Sequence, residues 1–186
     1  MATFDPAFLD AVEALPVRGW QGHVWRHMFN EYAPERINTG GARWNPPGVG
    51  AIYTALDRET AIAEGQHAID VQPRRIFRRR VLYELAVDVD DLVDLTAPEA
   101  LSAAGLTTAD IDADDHSACR KVGGAIAWIG RGGILVPSAR HDGANMVILI
   151  GPGGEAEIQR VSFEVLFDND NAQADAVGTE PAEFGR

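Results

Sequence analysis

Val81, Tyr83, Leu85, Val87 and Val89 occupy every second position of one unbroken segment. A period of two puts all five side chains on one face of an extended chain, so Arg80 to Val89 is read as a strand with one buried face. The domain must therefore contain a sheet with a covered side, and the rest of the sequence supplies both partners and cover. Phe8 to Leu15 reads as a short helix stopped by Pro16, and His23 to Phe29 as a strand. Ala51 to Ala55 reads as a short buried strand, followed by a helix over Arg58 to Ile69 with Asp57 as its N-cap. Thr96-Ala97-Pro98-Glu99 has the spacing of a capping box, with Gly105 as the stop of a short helix. Ala118, Val122, Ala125, Ile126 and Ile129 recur at helical spacing until Gly132-Gly133. Two strands then follow, Ile134 to Ala139 and Met146 to Ile150, joined by a His-Asp-Gly turn, and a last one runs from Ile158 to Phe167. Strands that look antiparallel, with helices inserted between them, predict an α+β fold with mixed or antiparallel sheets.

The chain has 186 residues, 46% of them hydrophobic and 24% charged, which suits one globular domain. The expected domain is 1–167. Residues 168–186 carry five acidic residues and one basic residue with little apolar pattern, and read as an acidic tail. The longest apolar stretches are too short to span a bilayer, and the acidic N-terminus is unlike a secretory signal, so the expected location is the cytoplasm. Cys119 is the one cysteine and has no partner for an internal disulfide. A formal net charge of −12 argues against unaided nucleic-acid binding. The local exception is Arg74, Arg75, Arg78, Arg79 and Arg80, read as a solvated or salt-bridged strand edge.

Several chemistries are excluded. Asp110, Asp112 and Asp114 imitate the start of a calcium loop, but Asp115 stands where glycine is required and Lys121 where the closing Glu belongs. His23 and His27 are too far apart along a strand to share one zinc, so no metal site is expected. P-loop, Rossmann and nucleophile-elbow signatures are missing. What stands out is Gly40-Gly41-Ala42-Arg43-Trp44-Asn45-Pro46-Pro47-Gly48, then Tyr53, then Glu64 on the following helix. Glycines beside an arginine let a ligand come close, and a guanidinium fork matches a diphosphate. Tyr53 offers a flat face, and Glu64, about two turns into its helix, is placed to face a cleft and to stabilise positive charge at an anomeric carbon. Each also has a plainer reading, as a surface ion pair, a core aromatic and a solvated helix residue.

With Val24-Trp25-Arg26, Ala63-Glu64, Leu92 to Thr96, Asp114-Asp115-His116-Ser117 and Gly133 to Ser138 added in order, the sequence resembles the RES-domain toxins of bacterial RES-Xre toxin–antitoxin systems. The resemblance implies a fold similar to the ADP-ribosyltransferase toxins, with NAD+ as substrate and no tightly bound cofactor. It makes Arg26 and Arg43 the family arginines, Tyr53 the tyrosine, Glu64 the acidic residue and Ser117 the serine. Ser138 is a second candidate for that serine, and Asn145 a further contact. The implied reaction is cleavage of the nicotinamide–ribosyl bond, ending in hydrolysis, phosphorolysis or ADP-ribosylation of a protein. The implied partner is an Xre-like antitoxin that blocks the cleft in a hetero-oligomer and brings it to operator DNA. The rival expectation is a non-catalytic binding module of the same fold.

Overall fold

The computed structural model describes residues 4–72, 79–151 and 157–166. Helix α1 (Pro6–Glu13) leads into strand β1 (Val17–Phe29), and a long loop connects it to β2 (Gly50–Ala55). Helix α2 (Arg58–Asp70) precedes β3 (Arg80–Asp94), which is followed by α3 (Pro98–Ala103), α4 (Thr108–Asp112) and α5 (Ser117–Trp128). The chain finishes with β4 (Gly133–Pro137), β5 (Ala144–Ile150) and β6 (Ile158–Leu166). No described helix is long and apolar enough to cross a membrane.

The strands form one six-stranded sheet in the order β1-β2-β5-β4-β3-β6. Because β1 also pairs with β3, from Val17 opposite Val93 to Phe29 opposite Arg80, five of the strands close into a circuit, with β6 added on β3. Every pairing is antiparallel except β3–β4, so the sheet is mixed. Strand alternation fills both faces. Val24, Ile52, Leu85, Leu135, Met146 and Ile148 pack inside the circuit with the alternating residues of β3. The intervening residues Ala51, Val93, Ile134, Val136, Val147 and Leu149 meet Val12, Leu101, Ile111, Val122 and Ile126, so α1, α3, α4 and α5 cover the other face. The α2 helix packs through Ala61 against Ala55 and Leu82.

The expected elements are all present, with three differences. The β1 strand begins at Val17, not His23, because the longer β3 offers it a partner as far as Val93. Thr96 does not cap α3: its hydroxyl and amide both bind Asp94, Ala97 holds the N-cap position, and the capping box lies at Thr107 and Asp110 on α4. The α5 helix starts at Ser117, one residue before the periodic pattern that begins at Ala118, with His116 at the N-cap position. Arg74, Arg75, Arg78, Phe167 and the tail 168–186 lie outside the described residues. Arg80 is buried and donates to Gln66, so of the solvated or salt-bridged edge that was expected, the solvated form does not hold at this residue.

Candidate active site

The loop ahead of β2 takes its shape from its own backbone. Gly41 and Gly48 both have φ of 91°, a conformation that side chains with a Cβ rarely adopt. Fully buried Asn45 ties the ends of the loop together: its Nδ2 donates to the carbonyls of Asn38 and Val49 at 3.0 and 2.7 Å. Its Oδ1 accepts from the Tyr53 hydroxyl at 2.7 Å, and that hydroxyl accepts from the Trp44 amide at 3.0 Å. The loop then docks on α5. Arg120 Nε donates to the Ala42 carbonyl at 2.7 Å, and a Cβ on Gly123 would lie only 1.8 Å from the Trp44 carbonyl oxygen. This docking carries Arg43 across to α4, where Nη1 donates to the Ala113 carbonyl at 2.8 Å.

Glu64 comes from the opposite side. Asp57 caps α2 by accepting from the Thr60 amide at 2.8 Å, which fixes where the helix starts and which residues face the sheet. Two turns on, Glu64 Oε1 accepts from Ser138 Oγ at 2.6 Å and from Asn145 Nδ2 at 2.7 Å. The next residue must be glycine, since a Cβ on Gly65 would fall 1.4 Å from Nδ1 of His27 on β1. The helix is thereby brought close against the strand.

Two adjoining cavities lie between these walls. One, of about 250 Å³, is bordered by Trp25, His27, Ala61 and Gly65; the other, of about 100 Å³, by Arg43, Trp44, Ile111 and Pro137. Tyr53, Glu64 and Asn145 line both. A larger groove of about 540 Å³ runs over Gln21–His23, Ala86–Asp88 and Glu157–Gln159 and touches none of the residues predicted from the sequence. The cleft has the better claim, because it joins a guanidinium, a carboxylate and an aromatic ring.

The electrostatics suit binding more than proton transfer. Burial pushes the Tyr53 phenol up to about 12, so it stays protonated, with its one proton committed to Asn45. Burial, helped by the charges of Arg43 and Arg120, lowers His116, favouring a neutral imidazole on the arginine side. Burial also raises the Cys119 thiol, against the opposing influence of Arg43.

The structure gathers Arg43, Tyr53, Glu64, Ser138 and Asn145 into one cleft. Arg26 borders the larger cavity but spends two guanidinium donors on the carbonyls of Pro34 and Arg36. Its burial lowers it to about 10, still charged at neutral pH. The two candidate serines part company. Ser138 stands at Glu64, whereas Ser117 is exposed at the start of α5, four residues beyond the carbonyl that anchors Arg43, and binds Asp115 through both its amide and its hydroxyl. Asn45, Arg120 and Gly123 were not anticipated as parts of the site. For Gly123 a signal existed, since a glycine pair inside an otherwise periodic helix marks a close backbone approach.

The chain is similar to known proteins over most of its length. The NAD(+) phosphorylase MbcT of Mycobacterium tuberculosis H37Rv, like that of Mycobacterium bovis, is 37% identical over 143 residues, spanning 73% of this chain and 77% of the relative. The crystal structure of the M. tuberculosis MbcT–MbcA toxin–antitoxin complex superposes with a TM-score of 0.77 at 26% identity, covering 87% of this chain and 93% of that one. The RES domain matches residues 16–168, the whole of the described sheet and every residue of the cleft, and the chain belongs to the RES domain family.

Proposed function

We propose that this protein is the toxin of a toxin–antitoxin pair and that it consumes NAD+ by cleaving the bond between nicotinamide and ribose, with inorganic phosphate as the acceptor. The observation that carries this reading is the Glu64 carboxylate, held by two donors and lining a cleft that Arg43 and Tyr53 also line. The likeness to an NAD(+) phosphorylase supports phosphate as the acceptor.

Nicotinamide leaves a pyridinium as a neutral molecule, so no general acid has to protonate it, and the barrier lies in the oxocarbenium-like charge that develops on the ribose. One fixed carboxylate near the anomeric carbon stabilises that charge without reorganising. Arg43, with guanidinium donors left beyond its bond to Ala113, holds the diphosphate, and the Tyr53 ring supports the bound dinucleotide. Ser117 acts on the arginine wall as an orienting hydroxyl. Arg26 acts by fixing the 34–36 segment beside the cleft, and its remaining charge adds to the attraction for the diphosphate.

The partner in this reading is an antitoxin of the Xre type, whose acidic or carboxylate-ended segment occupies the cleft and competes with the diphosphate for Arg43. Operator DNA is bound by the complex, since the toxin's charge of −12 repels DNA. The reaction takes place in the cytoplasm, where its substrate is. Incubating the purified chain with NAD+, with and without phosphate, and identifying the products by mass spectrometry tests the reading. Free nicotinamide with ADP-ribose 1″-phosphate is expected only when phosphate is present. ADP-ribose in its absence at the same rate would make the enzyme a hydrolase, and an ADP-ribosylated protein would make it a transferase.

A further inference from the structure

We infer that Ser138 and Asn145 are positioning residues: they hold the Glu64 carboxylate so that it presents one defined oxygen to the substrate, and this hold, not affinity for the dinucleotide, is what they contribute to turnover. The inference rests on the proposed role of Glu64 and adds how that role is built.

The hydrogen-bond directions follow from counting donors. Ser138 Oγ accepts from the amides of Arg140 and His141, at 3.1 and 3.2 Å. A hydroxyl has two acceptor sites and one proton. With both acceptor sites used, the proton is free only to point at Glu64 Oε1, 2.6 Å away. Asn145 faces the same oxygen at 2.7 Å, and because an ionised carboxylate only accepts, the amide must present its NH₂. Oε1 thus receives two donors. Oε2 is the oxygen left for the reacting ribose, and the carboxylate plane is set by the protein.

The donors sit on a rigid support. Ser138 directly follows β4 and Asn145 lies in β5, paired with Val136 on one side and Ala55 on the other. The connection between them is closed by the Ser138 amide donating to the Gly143 carbonyl at 2.9 Å. It also packs onto the start of α2: a Cβ on Gly143 would lie 1.9 Å from Thr60 Oγ1, and that hydroxyl meets His141 Nδ1 at 3.0 Å. The same connection therefore touches the first turn of the helix that carries Glu64 and the Glu64 carboxylate two turns later. The carboxylate is located relative to the sheet by three attachments and not by its own rotamer preference.

Steady-state kinetics of the full-length chain on NAD+ with saturating phosphate test this, comparing wild type, Ser138→Ala, Ser138→Thr, Asn145→Ala and Glu64→Gln. Loosening a catalytic group by a fraction of its length costs on the order of 10² in rate. Ser138→Ala is expected to lower kcat by roughly 10- to 100-fold with KM within about twofold, and Ser138→Thr, which keeps the hydroxyl, is expected to recover most of the loss. Asn145→Ala should show the same split, and serves if Ser138→Ala fails to fold. A rise in KM at unchanged kcat in the alanine variants would mean that these side chains bind substrate, and would overturn the inference. So would wild-type kinetics in them, or a Ser138→Thr variant as slow as Ser138→Ala. Full activity of Glu64→Gln would instead refute the role of Glu64 itself.

Discussion

The two walls of the cleft are built by different means. The arginine wall is a loop held at its main chain: Gly41 and Gly48 in the left-handed region, the Asn45 side chain bonded to two loop carbonyls, and Gly123 clearing the way for the Trp44 carbonyl. The carboxylate wall is side chain, with Glu64 reached by Ser138 and Asn145 from residues 74 and 81 positions away. The first wall is therefore part of the fold, and damage to it costs stability along with activity. The second is a polar cluster added to a helix and a hairpin that stand without it, so damage there reaches the chemistry first.

Glu64→Gln is the sharpest test of that contrast. The amide keeps the shape and an oxygen that can still accept both hydrogen bonds, but removes the charge. Turnover should fall on the order of 10² to 10³ with an unchanged Tm, and a Tm lowered in step with activity would erase the distinction between the walls. Gly123→Ala is the counterpart on the other side. Its Cβ would overlap the Trp44 carbonyl, so loop and helix must separate, at about 1–3 kcal/mol. Thermal melts should drop by about 2–4 °C for each of those kcal/mol, with NAD+ turnover falling as the loop that presents Arg43 is displaced.

Smaller effects sharpen the picture. Ser117→Ala removes an exposed hydroxyl beside the arginine wall, and a loss of roughly tenfold in kcat/KM, equivalent to about 1.4 kcal/mol, is expected with little change in Tm. An unchanged kcat/KM would leave Ser117 with only its Asp115 contact. Tyr53 should appear in an alkaline titration. Its phenol is raised from 10 to about 12, so the folded state holds the proton more tightly than the unfolded chain does. That stability, on the order of 2 kcal/mol, is fully present below pH 10 and is lost as pH rises toward 12. Tyr53→Phe should lack this alkaline loss, which thermal melts of variant and wild type from about pH 9 to about pH 12 would show.

How much of this was legible in the sequence divides along the same line. Alternation on β3 and helical spacing on α5 are local; α5 lies where it was expected, and β3 starts where it was expected but runs on to Asp94, beyond the alternating stretch that ended at Val89. Arg43, Tyr53 and Glu64 stood out because glycines, an aromatic residue and a helix cap surround them within a short stretch, and they meet at one cleft. The first part of β1, Val17 to Gly22, was not visible because it carries two glycines and an exposed pattern, and exists through its pairing with the far end of β3. The α4 helix was hidden in an acidic run considered only as a calcium loop, although Thr107 and Asp110 had capping-box spacing. Ser138 and Asn145 could be named as candidates, but not their role, because nothing local shows that a hairpin so far along the chain folds back to Glu64. The commitment of the Arg26 guanidinium to Pro34 and Arg36 was equally invisible, since it depends on how the segment after β1 turns back.

The central claim is that the carboxylate of this cleft destroys NAD+. It is tested most directly by measuring intracellular NAD+ after inducing the full-length chain, without antitoxin, alongside its Glu64→Gln variant. The account predicts that NAD+ collapses and growth stops with the wild-type chain, while the variant, expressed to the same level, leaves both unchanged. Growth arrest by the wild-type chain at a constant NAD+ level, or depletion by Glu64→Gln as fast as by wild type, would contradict it.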